Sequence, residues 1–163
     1  MSSVWRVLEV LLLVMAANGA PILLARLLRG RVLPPVDFGW RLPDGLPLFG
    51  PSKTWPGIIA ALVAASGIAL LFGHPWYVGA GVGLAAMVGD LFSSFIKRRV
   101  GIPSSGQALL LDQVPEALLP TLVLAYWLPL SFLEILAAVA LFFGLGLPLS
   151  WLLFHLGVRK QPY

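Results

Sequence analysis

The sequence has no cysteine. That removes disulfides, thiolate metal sites and a cysteine nucleophile together. Charge is scarce as well: Asp, Glu, Lys and Arg make up 11% of the 163 residues, where a soluble domain carries about 25%. The two histidines, His74 and His155, stand far from each other and from the acids, so each reads as an interface residue rather than a ligand. What the chain has in excess is apolar: 59% of residues are hydrophobic and the mean hydropathy is +0.92. This composition belongs to an integral membrane protein folded as one compact domain.

About 20 apolar residues cross a bilayer as a helix. Five such runs are present, at about 4–28, 57–73, 76–96, 114–130 and 132–156. The expected fold is therefore an all-α bundle of five transmembrane helices with two long loops, 29–56 and 97–113. The small residues at Ala16–Ala20 imitate a signal-peptide cleavage site, but Pro21 follows directly and the apolar pattern resumes to Leu28. The first run reads as a retained span. Five spans put Arg26, Arg29, Arg31, Arg41, Lys53, Lys97, Arg98, Arg99, Arg159 and Lys160 on one side and Arg6 alone on the other. Cationic loops face the cytoplasm. The expectation is a multi-pass protein of the cell membrane with its N-terminus outside and both long loops cytoplasmic. Trp5, Trp76, Tyr77, Tyr126 and Trp127 fall at the outer ends of the spans, where an aromatic belt belongs.

The polar residues gather on the cytoplasmic side. In "GDLFSSFIKRR" (89–99), Asp90, Ser93 or Ser94, and Lys97 recur at i, i+3/i+4 and i+7, on one helical face. Asp90 lies seven residues inside Lys97, roughly 10 Å deeper. A carboxylate at that depth costs up to about 3 kcal/mol on insertion scales, so it needs a compensating partner. A structural ion pair with Lys97 or Arg98 would supply one. A bound metal would be another, because Asp112 and Glu116 supply further acids on the same side. Carboxylates opposite clustered Lys and Arg suit a magnesium-bound polyphosphate, and the same cations equally suit a lipid-headgroup face. Asp37 sits in a Pro- and Gly-rich loop, where a solvated or turn-forming role is expected. Glu9 and Glu134 read as acids near outer span ends. Asn18, well inside the first span, wants a hydrogen-bond partner, either another helix or the substrate site. Gly79, Gly81 and Gly83 read as close helix packing.

Gly89-Asp90, Ser94-Phe95, Lys97-Arg98-Arg99, Gly101-Ile102 and Leu111-Asp112-Gln113 together resemble the core motif of the CDP-archaeol synthases, small relatives of the phosphatidate cytidylyltransferases. Asn18 with Pro21, and Gly50 with Lys53-Thr54-Trp55 and Gly57, extend the resemblance over about residues 18–113. It implies five spans and a magnesium-dependent transfer of CMP from CTP to a lipid phosphate, giving a CDP-lipid and pyrophosphate. It also implies Asp90, Asp112 and Lys97 as catalytic residues, with Asp90, Asp112 and Glu116 on Mg2+. Lys53, Thr54, Ser94, Arg98, Arg99, Gln113 and Asn18 would hold CTP and the lipid phosphate. The family pattern puts a further acid three residues past Asp112, where this chain has Pro115; Glu116 comes one position later, a 100° turn of helix away. The acceptor is left open between an archaeal ether lipid phosphate and phosphatidate. No nucleic-acid partner is expected, and a bundle this small leaves room for a homodimer. The competing reading is a noncatalytic membrane assembly or transport subunit whose basic loops bind lipid.

Overall fold

A computed structural model describes residues 2–29, 31–104, 106 and 108–157. Arg159 and Lys160, counted above in the charge asymmetry, lie outside the described residues. Five helices follow one another: α1 Ser3–Leu27, α2 Trp55–Leu71, α3 Trp76–Arg99, α4 Leu109–Leu124 and α5 Phe132–His155. Among the described residues there is no strand beyond two isolated bridges. Side-chain caps start three of the helices. Ser2 accepts from Trp5 N, Thr54 accepts from Gly57 N, and Ser131 with Glu134 closes a capping box.

α1, α3 and α5 are long and apolar enough to cross a membrane. The shorter α2 and α4 have 17 and 16 residues. α3 runs on to Arg99 and α4 starts at Leu109, so the second loop is shorter than the apolar pattern alone indicates. The reason is local. Ala108-Leu-Leu-Leu favours helix, and Asp112 Oδ2 accepts from Ala108 N at 2.9 Å, tying down the new N-terminus. Pro115 and Pro120 both lie inside this helix.

Small residues set the packing. Ala61, Ala65 and Ala69 of α2 are fully buried against α3. A Cβ on Gly79 would stand 2.3 Å from the Ala65 carbonyl oxygen, and one on Gly83 would stand 3.0 Å from that of Ala61. Leu13, Val78, Val82 and Leu124 fill the core between α1, α3 and α4.

The two ends of the bundle differ in chemistry. At one end Arg6 pairs with Glu134 at 2.7 Å, joining α1 to α5. There, too, His74 meets the fully buried Glu9. Trp5, Trp76, Tyr77, Tyr126 and Trp127, at the helix ends on this side, are exposed. At the other end Arg26 and Arg29 both donate to the Gly157 carbonyl, beside the long loops. All described lysines and arginines except Arg6 belong to this second end.

The loop between α1 and α2 is ordered by a buried acid. Asp37 Oδ1 accepts from Gly39 N at 3.0 Å, and its Oδ2 accepts from Phe49 N and Gly50 N, each at 2.9 Å. Burial raises the Asp37 carboxyl, but the N–H groups of Gly50, Phe49 and Gly39 outweigh burial and hold it below its ordinary value. The turn-forming part of the sequence reading stands; the solvated part does not.

Candidate active site

Gly89 sets the floor of the site. A Cβ there would lie 2.4 Å from the Pro115 carbonyl oxygen, so α3 and α4 touch backbone to backbone. That contact puts Asp90, the next residue on α3, beside Glu116, the residue after Pro115. The Glu116 carboxyl lies in hydrogen-bond contact with Asp90, with Lys53 and Asp112 close enough to act on it. The 100° displacement of Glu116 from the family's acid position thus does not remove it from the site.

Asp90 is compensated by Lys53 rather than by Lys97 or Arg98: Lys53 Nζ lies 2.5 Å from Asp90 Oδ1. Lys97 pairs with Asp112 at 2.6 Å and donates to the Gly106 carbonyl at 3.1 Å. Arg98 donates to the Pro103 carbonyl at 2.9 Å. Arg99 donates to the Pro47 carbonyl at 2.5 Å, lies 3.3 Å from Asp44, and stacks over Phe95. Ser104 and Ser52 join the two loops at 3.1 Å. Lys97 and Arg98 are only 7% and 5% exposed. Buried cations are tolerated when anions and carbonyls surround them.

The buried polar atoms that lack a hydrogen bond are concentrated here. All but one of those found among the described residues belong to Ser94, Arg98, Arg99, Asp112 and Gln113; the exception is on Glu9, and the atom on Asp112 and one of those on Arg99 are ion-paired, with Lys97 and Asp44. Such atoms are costly unless a ligand completes them. Guanidinium N–H groups, a serine hydroxyl and carboxylates at one end of the bundle are the chemistry that suits a phosphorylated ligand with its cation.

Two further sequence candidates act through the backbone. Thr54 Oγ1 caps α2 through Gly57 N at 3.3 Å, which sets the position of its neighbour Lys53. Asn18 Nδ2 donates to the Val14 carbonyl at 3.0 Å and to the Glu116 carbonyl at 3.3 Å. Pro120 has no N–H to give Glu116 O, its i−4 partner, so the Asn18 amide takes the place of a missing helical donor.

The donor set fits magnesium in part. Asp90 and Glu116 form the pair of adjacent carboxylates this ion uses alongside phosphate oxygens. Among the described residues no three acids or histidines converge as a closed metal cage, and Asp112 is engaged with Lys97. A pair that relies on substrate oxygens is the arrangement magnesium favours at phosphate sites.

Fold and site together define a membrane-embedded helical protein with a cluster of acids and cations at one end of its bundle. The comparisons with known proteins agree. The family model for CarS-like CDP-archaeol synthase matches residues 74–163. The CDP-archaeol synthase of Aeropyrum pernix is 36% identical over 98% of this chain and 95% of its own. That of Staphylothermus marinus is 31% identical over 91% and 87%. The similarity to the Hyperthermus butylicus CDP-archaeol synthase is 43% identity, over 61% of this chain and 60% of that one. A solved intramembrane enzyme for archaeal membrane lipid biosynthesis has a TM-score of 0.73 and 32% identity, covering 87% of this chain and 90% of that chain. This chain belongs to the CDP-archaeol synthase family.

Proposed function

We propose that the chain transfers the cytidylyl group of CTP to an archaeol-type lipid phosphate, at the loop end of the bundle and on the cytoplasmic side. A lipid phosphate oxygen attacks the α-phosphorus of CTP, a new P–O–P linkage forms, and the bond to the β-phosphate bridging oxygen breaks. The products are a CDP-lipid and pyrophosphate. The observation that carries this reading is the Asp90–Glu116 pair held beside Lys53, with buried, incompletely bonded donors on Ser94 and Arg98 further along the same helix.

A phosphate monoester is already anionic at neutral pH, so the attack needs no general base. The work of the protein is orientation and charge neutralisation. Lys53, Lys97, Arg98 and Arg99 surround the phosphates, trading their present acid and carbonyl partners for phosphate oxygens. Asp90 and Glu116, with Asp112 behind them, would hold magnesium. When bound, that ion supplies charge neutralisation and a template for the phosphate oxygens. Ser94 and Gln113 complete the wall of the site. Thr54 and Asn18 position Lys53 and Glu116.

The rival reading as a transport subunit calls for polar groups free to line a track to the far end. The acids at the far end, Glu9 and Glu134, are held by His74 and Arg6.

The test is CDP-lipid formation by purified protein from labelled CTP, Mg2+ and either archaeol phosphate or phosphatidate. Turnover of the ether lipid phosphate is expected, abolished by chelator. Asp90→Asn should lower it by about 100-fold or more, the scale for losing a catalytic charge interaction, while the fold is retained. Near-normal turnover by a folded Asp90→Asn protein would refute the assignment.

A further inference from the structure

We infer that the loop between α1 and α2 is seated in the headgroup region of the bilayer that holds the bundle, through Phe38 and Trp40. Phe38 is 77% exposed and Trp40 68%. Two neighbouring aromatic rings left in water cost apolar burial and need a reason. Phe38 is also the one non-glycine among the described residues with positive φ, at 48°. The cage of backbone N–H groups around Asp37 holds this uncommon conformation and turns the ring outward.

The depth of the patch follows from the chain itself. Val36 N donates to Lys53 O at 2.8 Å and Trp55 N donates to Pro34 O at 3.1 Å, so residues 34–36 run antiparallel to the foot of α2. Trp55 is the first residue of that apolar helix. The Phe38 ring centroid lies 6.4 Å from that of Trp55. Wherever Trp55 enters the bilayer, Phe38 lies within 6.4 Å of it. Aromatic side chains favour that level because the ring meets the acyl boundary while polar groups stay hydrated. Arg29, Arg31 and Arg41 are exposed on the same stretch and match anionic headgroups, each contributing about 1 kcal/mol near such a surface. The occupant is therefore lipid, with an anionic preference. This inference does not depend on the catalytic reading.

The absence of native cysteine makes the experiment direct. A spin label is placed on Phe38→Cys, or separately on Trp40→Cys, with Trp55→Cys as the depth reference. The full chain is reconstituted in nanodiscs of phosphatidylcholine, alone or mixed with phosphatidylglycerol. At 38 and 40, oxygen should relax the label faster than a water-soluble nickel complex, as at 55, and the bias should grow with phosphatidylglycerol. A label relaxed mainly by the nickel complex would place the loop in water and overturn the inference. So would a label hidden from both reagents, or one dipolar-coupled to a second copy, since protein would then cover the patch. Quenching of Trp40 by brominated lipid, measured as the difference between the native chain and Trp40→Phe, repeats the test without altering Phe38.

Discussion

Asp37 and Asp90 are acids of one type with opposite duties. Asp90 lies on a helix face whose i, i+3/i+4, i+7 pattern already marks it in the sequence. Asp37 is the residue that sequence reasoning undervalues, because a buried Asp in a Pro/Gly-rich loop looks the same as an exposed one. Its one legible signal is Asp followed two residues on by Gly, an Asx-turn pattern. Asp37→Asn keeps one acceptor but turns an amide toward N–H groups that need an oxygen. We expect a loss of about 1–3 kcal/mol, read as faster hydrogen exchange at Phe49 and Gly50. Protonation should act in the same direction. Asp37 titrates below its ordinary value in the folded loop, so its contribution is fully present above the unfolded carboxylate value of about 3.9. It is lost as the pH falls from there through the lower folded value. Exchange at these amides that accelerates between pH 7 and 5 would contradict this.

At the scale of elements, α4 is the helix the sequence describes least well. Pro115 and Pro120 each delete a backbone donor, and the apolar run hides where the helix starts. The sequence marks Asp112 and Gln113 as candidate site residues but not as helical ones. The Lys53–Asp90 pair was not legible, because the two residues are 37 apart and an irregular loop closes the gap. Asn18 was marked as needing a partner, and its partner is the carbonyl that Pro120 leaves without a donor. A double-mutant cycle tests that link. Asn18→Ala should cost about 1 kcal/mol, within the range for interhelical hydrogen bonds in membranes. In a Pro120→Ala background, where the backbone N–H is restored to Glu116 O, the cost should largely vanish. An equal penalty in both backgrounds would mean that Asn18 acts elsewhere.

For the whole molecule, the separation of charge was the most legible feature, since a count of Lys and Arg needs no tertiary information. The structure places Arg6 at one end and the loops with their cations at the other. If the positive-inside rule holds for this chain, the loop end faces the cytoplasm. In intact cells a membrane-impermeant maleimide should label Tyr126→Cys, and should reach Pro43→Cys only after permeabilisation. Labelling of Pro43→Cys in sealed cells would invert the topology.

Gly89 gives the site a property that no side chain supplies. Because α3 rests on the Pro115 carbonyl there, the gap between Asp90 and Glu116 is a main-chain dimension, and rotamer changes cannot retune it. An ordinary contact needs about 3.4 Å where a Cβ at this position has 2.4 Å, so a single added methyl would force the helices about 1 Å apart. A shift of that size at reacting groups can lower a rate by about 100-fold. Gly89→Ala, a change far milder than removing a charge, should therefore approach Asp90→Asn in its effect on turnover while leaving every charged residue in place. The spacing of the two acids works as a fixed gauge, and its calibration is the absence of one carbon atom.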